Sequence, residues 1–219
     1  MSFLKRLFSR KEEPAEPYDE QAEQAWDKAK SEFMESVLGK EHDMVMHAII
    51  PYAVGGGLDL YYYPNGIAGT GIATKELVDS KGKGPRNRAF KCYELVMFTR
   101  HAINLEQAQD METPFGRAHA NMNSIINRIA PYSAQATLNP NETCEFPQEM
   151  EKVGGKYLMF DAYPTPDTKG PKDMGLMLVL EVFRSEMDFA RQHGGAELFQ
   201  KLKEAGAYPH SDLDREPVA

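Results

Sequence analysis

The sequence predicts an α+β fold in which helices cover a mixed, largely antiparallel sheet. Short apolar segments follow one another through residues 45–99 with glycine- and proline-rich turns between them, which indicates strands joined as hairpins. Helical spacing of apolar side chains appears in three other segments, one before this region and two after it. A doubly wound parallel sheet would need a helix after nearly every strand, and residues 45–99 contain no helical pattern.

Residues 1–18 are predicted to be a flexible tail with a basic part and an acidic part. Residues 1–11 carry four cations, no acidic residue and four apolar side chains at helical spacing. Two interpretations remain open, a peptide with weak affinity for a membrane surface or a partner, and a frayed terminus, because about two helical turns bury little apolar area. The acidic sequence EEPAEPYDE that follows is typical of a linker.

Residues 19–39 are predicted to form an N-terminal helix that packs on the main body of the chain, residues 40–219. Asp19 is a suitable N-cap, because its side chain can accept a hydrogen bond from the first turn, and Gly39 is a suitable C-cap. The apolar stripe that we expect to face the body consists of Ala22, Trp26, Ala29, Phe33 and Val37.

The main body combines predicted strands with two later helices. Thr113 and Pro114 form an N-cap and first-turn pair, and apolar residues at helical spacing continue through residues 115–129. The last helix is expected to open at the capping box of residues 185–188 and to break at residues 194–195. The predicted strands are residues 45–54, 58–63, 69–77, 90–99, 156–163 and 176–183.

Charge and cysteine content restrict the possible classes of function. The 219 residues carry a formal net charge of −8, which repels phosphate and anionic lipid over most of the surface and argues against a general nucleic-acid binder. The two cysteines, Cys92 and Cys144, form no CxxC pair, so we expect free thiols in the cytoplasm. No apolar run approaches the ~20 residues of a membrane-spanning helix, which predicts a soluble protein.

No cofactor and no metal site are predicted. The glycine run of residues 66–74 lacks the Lys-Ser/Thr pair of a nucleotide-binding loop and continues into a predicted strand, so we interpret it as turn geometry. The six histidines are scattered and have no metal-ligand spacing. Cys92 lies within an apolar strand, where burial raises the pKa of a thiol and makes it unreactive.

Glu94 is the residue most informative about function, because it shares a strand face with apolar neighbours. A carboxylate buried there needs a cation or several hydrogen-bond donors, since an unpaired buried charge costs several kcal/mol. The candidate partners are Arg86 and Arg88 upstream in the sequence, and Thr70 or Thr74 on the neighbouring strand. A polar patch that recognises a ligand or peptide and a structural ion pair both remain open as interpretations.

Further polar side chains bear on the same question. Three consecutive tyrosines, residues 61–63, must face both sides of their strand, so at least one phenol should be available to a partner. Asp161 and Glu181 lie in predicted strands and need partners for the same reason as Glu94.

Two segments, LDLYYYPNGIAGTGIATKEL at residues 58–77 and RNRAFKCYELVMF at residues 86–98, resemble the suppressor-of-fused (SUFU-like) domain family. The likeness continues through the helix ending IINRIAPYS, the strands KYLMFDAYP and LMLVLEVF and the final helical segment, and so covers residues 40–219. Residues 69–74 depart from the Thr-Ser-Gly-Met-Ser type of turn in similar bacterial members. The chain length is similar to that of the bacterial, single-domain form.

The resemblance implies a non-enzymatic α/β domain that binds proteins. Animal relatives hold a transcription-factor peptide as an added strand, and similar bacterial proteins are proposed immunity proteins that neutralise toxins; the acidic net charge suits a basic toxin. We therefore expect an intracellular domain that binds a protein or peptide, with a toxin as the specific partner that the resemblance suggests.

The alternative is a hydrolase-type enzyme that uses Glu94 and Asp161 as paired carboxylates in a cleft. The predicted binding residues are Glu94, Arg86, Arg88, Thr70, Thr74, Tyr61 and Tyr63.

Overall fold

A seven-stranded sheet forms the centre of the computed structural model, which describes residues 19–219. The predicted tail of residues 1–18, with its membrane-surface peptide, lies outside the described residues. The strands are β1 Val45–Met46, β2 Leu60–Tyr63, β3 Thr70–Ala73, β4 Cys92–Thr99, β5 Thr143–Glu145, β6 Tyr157–Tyr163 and β7 Met174–Val182. They follow one another across the sheet in the order β1-β2-β3-β4-β7-β6-β5.

The strands β4 and β7 pair in parallel at the centre of the sheet, and the other described neighbours pair in antiparallel fashion. Cys92 lies opposite Met174, and Val96 lies opposite Leu178, so the two strands start side by side and run in the same direction. A parallel pair needs a long crossover connection, which residues 100–173 provide. The mixed, largely antiparallel sheet predicted from the sequence is confirmed.

In the described part of the chain, four α-helices cover the two faces of the sheet. They are α1 Glu20–Leu38, α2 Pro114–Ser133, α3 Arg184–His193 and α4 Gly195–Glu204. The helix α2 packs on one face, where Ile125 and Ile129 meet Leu95 of β4, and α1, α3 and α4 pack on the opposite face. Within residues 19–219, no helix combines the length and the apolar content that crossing a membrane requires.

Side-chain caps fix the beginnings of the two long helices. Asp19 Oδ1 accepts a hydrogen bond from the Ala22 N–H at 3.1 Å, and Thr113 Oγ1 accepts one from the Gly116 N–H at 3.1 Å. Pro114 occupies the first position of α2, where an N–H would have no partner within the helix. The short polar residue before each apolar stripe therefore sets where the helix begins.

The two central strands are buried from end to end. Every residue of β4 and of β7 is buried, because helices cover both faces of the sheet there. Successive side chains of β4 point to opposite faces, so that Tyr93 and Leu95 pack toward α2, whereas Cys92 and Val96 pack toward α1. By this alternation the side chain of Glu94 lies on the α1 face, in the middle of the sheet.

The strand predicted for residues 45–54 is mostly wrong. Val45–Met46 pair with β2, and Tyr52–Val54 form a 3₁₀ helix. The proline within this segment has no N–H for a ladder hydrogen bond. The chain instead turns back, and the Gly57 N–H donates to the Ile50 carbonyl at 3.0 Å. The apolar residues of this segment therefore form a loop at the sheet edge.

Three other differences from the prediction have local causes. The strand β3 ends at Ala73, because the residues after it leave the sheet and turn toward Glu94. The strand β5, Thr143–Glu145, was not predicted, since three residues are too few for a periodic signal. The helix α3 begins one residue before the predicted capping box, where Glu186 Oε2 accepts a hydrogen bond from the Phe183 N–H at 2.9 Å.

Replacing Leu95 by Ala tests the packing of β4 against α2. Leu95 is fully buried, so the truncation leaves a cavity, and we expect the free energy of unfolding to fall by about 2–5 kcal/mol. The control is Val54→Ala, because Val54 is 73% exposed and its truncation should change stability by less than about 0.5 kcal/mol. Urea unfolding followed by circular dichroism measures both variants, and equal losses would contradict the packing.

Candidate functional site

The carboxylate of Glu94 accepts hydrogen bonds from four groups of the chain. The residue is fully buried. Thr74 Oγ1 donates to Oε2 at 2.6 Å, and the N–H groups of Leu77 and Val78 donate at 3.2 Å and 3.0 Å. The fourth donor is the ammonium group of Lys30, which lies 3.3 Å from Oε1. The chain itself therefore satisfies this buried charge.

The cation beside Glu94 comes from α1 and joins that helix to the turn after β3. Lys30 Nζ also donates to the carbonyls of Lys75 and Val78, both at 2.7 Å. The same ammonium group lies 5.1 Å from the centre of the Trp26 ring. Three hydrogen-bond acceptors thus surround the three N–H donors of the ammonium group. The ion pair of Lys30 with Glu94 therefore fixes α1 on the sheet.

Thr74 is the predicted partner of Glu94 that contacts it. Thr70 lies at the other end of β3 and donates to a backbone carbonyl at 2.8 Å. Arg86 and Arg88 line a surface cavity instead. The predicted pairing of either arginine with Glu94 is wrong, because α1 covers the carboxylate from the opposite direction.

The buried face of α1 explains why the sequence did not indicate Lys30. The residues buried in α1 are Trp26, Lys30, Met34 and Leu38, which are spaced four apart. This stripe is rotated from the predicted one, whose members other than Trp26 are half-buried or exposed. A lysine spaced four residues from Trp26 and from Met34 was the signal for a buried cation.

Burial determines the electrostatics of this cluster. Desolvation raises the pKa of Glu94, and Lys30, Thr74 and the two backbone N–H groups oppose that rise. No partner can reach the carboxylate while α1 is docked. Of the two interpretations that the sequence left open, this geometry favours the structural ion pair.

The three tyrosines of β2 differ in exposure. Tyr63 is buried, and its hydroxyl donates to Glu41 Oε2 at 2.8 Å. Tyr62 is also buried, and its hydroxyl lies 2.8 Å from a histidine ring nitrogen. Tyr61 is half-buried, with the ammonium group of Lys75 4.5 Å from its ring centre. Tyr61 is therefore the tyrosine of β2 that reaches the surface.

Arg86 and Arg88 line a surface cavity of about 580 Å³, which we call the basic cavity. It opens where the loop entering β4 meets the loop entering β7, and Lys169 from the second loop also lines it. Arg88 Nη2 donates to the Pro140 carbonyl at 2.6 Å. Arg86 is exposed and makes no hydrogen bond or ion pair within residues 19–219. The structure therefore brings the two predicted arginines together.

An apolar loop, residues 47–57, projects from the sheet edge between β1 and β2. Ile49 is 101% exposed, Ile50 58% and Val54 73%. The backbone hydrogen bond between the Gly57 N–H and the Ile50 carbonyl holds the loop in shape. The sequence predicts a strand for these apolar side chains and therefore does not indicate that they form a surface feature.

A second cavity, of about 370 Å³, lies between α2, β7 and residues 211–214. The carboxylate of Glu181 lines it and accepts hydrogen bonds from Lys156 Nζ at 2.9 Å and from Asn121 Nδ2. Asp212 also lines it and accepts a hydrogen bond from a β4 threonine at 2.6 Å. These charges are bound by neighbouring side chains, as the sequence required of Glu181, although the sequence did not indicate the cavity.

The structure does not bring Glu94 and Asp161 together. The strand β7 lies between their strands, and Asp161 Oδ2 accepts a hydrogen bond from the Tyr208 hydroxyl at 3.1 Å. Residues 19–219 therefore contain no cleft in which these two carboxylates are paired. In the same part of the chain, no group of three or more His, Cys, Asp or Glu side chains could hold a metal ion. Burial raises the pKa of Cys92, as predicted.

Comparison with known proteins bears on the fold. No family model matches the sequence, and no curated protein matches it. Among solved structures, a chain of the Sufu–Fu complex is similar with a TM-score of 0.56 and 14% sequence identity. That match covers 90% of this chain and 92% of the other.

Two further structures have the same architecture. Drosophila Suppressor of Fused is similar with a TM-score of 0.60 and 15% identity, over 92% of this chain and 54% of that one. A SUFU homologue from Neisseria gonorrhoeae FA 1090 is similar with a TM-score of 0.54 and 11% identity, over 90% of this chain and 98% of that one. The SUFU-like fold predicted from the resemblance is confirmed.

Replacing Lys30 by Met tests the buried ion pair. The substitution leaves Glu94 buried without a cation, so we expect the free energy of unfolding at pH 7 to fall by about 3–5 kcal/mol. Burial raises the pKa of Glu94 and Lys30 opposes that rise, so without Lys30 we expect the pKa in the folded state to lie above that in the unfolded state. As the pH falls, Glu94 is protonated in the folded state before it is protonated in the unfolded state. The loss of stability should therefore shrink as the pH falls toward the pKa of Glu94 in the unfolded state.

The matched control for this prediction is Lys28→Met on the same helix. The side chain of Lys28 is 77% exposed, and its Nζ lies 3.8 Å from Glu32 Oε1. An exposed ion pair of this kind contributes about 0.3–0.5 kcal/mol to stability. Urea unfolding at several pH values measures both variants. An equal and pH-independent loss in the two variants would contradict the role of Lys30.

Proposed function

We propose that this chain is a protein-binding domain that contacts its partner through the apolar loop, residues 47–57. The observation that carries the proposal is the exposure of Ile49, Ile50 and Val54 on a hydrogen-bonded loop. Neighbouring exposed apolar side chains are typical of protein interaction sites, because water contact with them is unfavourable. One structure of similar fold is a complex of Sufu with Fu, which supports a protein partner.

The apolar loop can supply binding energy at low entropic cost. Burying a Val or Ile side chain fully contributes about 1.5–3 kcal/mol. The hydrogen bond between the Gly57 N–H and the Ile50 carbonyl shapes the loop before binding, so less conformational freedom is lost when a partner binds. The complementary surface on the partner is an apolar socket.

The residues predicted to bind from the sequence divide into two groups. Tyr61, Arg86 and Arg88 reach the surface, and we retain them as contact residues. The others act from beneath the surface by holding the elements that carry the contact residues. They are Glu94, Thr70, Thr74 and Tyr63.

A non-enzymatic role agrees with the way the buried carboxylates are used. Each of three buried glutamates accepts a hydrogen bond from a cation on another part of the chain, which stabilises the fold. These pairs are Glu94 with Lys30, Glu181 with Lys156 and Glu186 with Arg215.

The free thiols of Cys92 and Cys144 support a reducing, cytoplasmic location. Weak contact of residues 1–11 with a membrane surface is a separate proposal.

The net charge favours a basic partner, and a toxin is the specific partner that the resemblance suggests. The chain carries a formal net charge of −8, and complementary fields speed the association of an acidic inhibitor with a basic toxin domain. Toxin neutralisation by an immunity protein is therefore the more specific function that we propose.

Capture of the partner from the native cell tests the role of the apolar loop. The tagged full chain should recover one protein in a one-to-one ratio. The double variant Ile49→Ser/Ile50→Ser should recover about tenfold less, because two exposed isoleucines no longer supply apolar area. Quantitative mass spectrometry of the eluates measures the ratio.

The matched control for this capture is Met111→Ser, which removes an exposed apolar side chain outside the loop. Met111 is 54% exposed, so this variant should fold and should recover the partner as the wild type does. Equal recovery by the Ile49→Ser/Ile50→Ser variant and the control would show that the loop lies outside the interface. A tightly retained small molecule with no protein partner would contradict the binding function itself.

Co-expression tests the immunity function. We expect the captured partner to arrest growth when expressed alone, and growth to return when the wild-type chain is expressed with it. The Ile49→Ser/Ile50→Ser variant should restore growth less well, because it binds the partner more weakly. A partner that is harmless on its own would show that the toxin proposal is wrong and would leave the protein-binding function intact.

A further inference from the structure

The basic cavity lies where two distant segments of the chain enter the sheet together. The strands β4 and β7 pair in parallel and begin at Cys92 and Met174, which lie opposite each other. The preceding segments, residues 80–91 and 164–173, therefore meet at the end of the sheet where these two strands begin. Together they carry seven Lys or Arg and two Asp, in a chain whose net charge is −8. The topology thus concentrates positive charge on an acidic protein.

Several of these cations remain available to a ligand. Lys91 Nζ lies 2.5 Å from Asp173 Oδ2, and this contact lowers the pKa of Asp173, so the acidic residue of the cavity lining is already neutralised. Within residues 19–219, Arg86 and Lys169 make no hydrogen bond or ion pair. Arg88 uses one guanidinium nitrogen for a backbone carbonyl and keeps its other donors. The cavity therefore presents uncompensated positive charge.

The loop that carries the two arginines is shaped before any ligand binds. Asn87, which lies between them, accepts hydrogen bonds from the Ala89 and Phe90 N–H groups at 2.9 Å and 2.8 Å. Its side-chain amide donates to the Leu138 carbonyl at 3.0 Å, and the Phe90 ring is buried. The backbone at the arginines is thus fixed from both sides, which reduces the entropy lost on binding.

We propose that the basic cavity binds an acidic segment of the protein partner, a run of Glu or Asp side chains. Guanidinium groups bind carboxylates through paired N–H donors, and Arg86 and Arg88 offer such donors at the rim of one cavity. A short acidic segment can reach this local charge. A long nucleic acid would also meet the acidic remainder of the surface, which repels phosphate. The inference rests on the proposed protein-binding function and identifies the chemistry of the partner.

Fluorescence anisotropy of a labelled hexaglutamate peptide tests the inference with the full chain. We expect saturable binding at low ionic strength, which weakens by about tenfold or more in Arg86→Glu and also weakens as salt screens the charges. The matched control is Arg184→Glu, because this side chain is 74% exposed and lies just beyond the other end of β7. The control variant should bind as the wild type does, and a hexaserine peptide should not bind.

Three results would overturn the proposal. The first is equal binding of hexaglutamate to the wild type and to Arg86→Glu. The second is tighter binding of a single-stranded oligothymidylate of equal charge, which would assign the cavity to nucleic acid. The third is binding only after Glu12, Glu13 and Glu16 are replaced by Gln, which would assign the cavity to the chain's own acidic segment.

Partner capture keeps this inference separate from the proposed function. If the wild-type chain does not bind hexaglutamate but still captures a partner through the apolar loop, the inference is wrong and the proposed function stands. Hexaglutamate binding that depends on Arg86, without any captured protein, would retain the cavity as an anion site and remove the function.

Discussion

The charge of Glu94 in the middle of β4 is the constraint on which much of this structure depends. A carboxylate buried in a central strand requires internal partners, and the chain supplies them from two directions. The turn after β3 provides a hydroxyl and two N–H groups, and α1 provides Lys30. One interaction therefore ends β3 at Ala73, fixes α1 on the sheet and directs the chain into the loop that carries Arg86.

The two surfaces assigned to binding lie on different parts of the sheet. The apolar loop extends from the edge beside β1, whereas the basic cavity opens above the starts of the central strands. The first offers dispersion and apolar burial, and the second offers charge, which acts over a longer distance. A partner that uses both must carry an apolar socket and an acidic segment. Such a combination is more selective than either contact alone.

Local signals in the sequence predicted most of the elements, because they depend on neighbouring residues. Asp19 and Thr113 cap the long helices, and the apolar periods of β4, β6 and β7 are continuous. The parallel pairing of β4 with β7 has no local signal, since it joins segments separated by the whole crossover. For the same reason the cation that pairs with Glu94 was not predicted, although Lys30 occupies an otherwise apolar stripe of α1. The arginines were identified by their position just upstream of Glu94, but their common cavity depends on the pairing of β4 with β7.

The parallel centre of the sheet also affects how the chain folds during synthesis. The strand β4 leaves the ribosome well before β7, its neighbour in the finished sheet, and translation of the intervening residues at about 5–20 per second takes several seconds. During that time the nascent chain exposes an apolar strand edge that is prone to aggregation. Non-local pairing of this kind is slow to form. This exposure ends only when β7 has emerged and paired with β4.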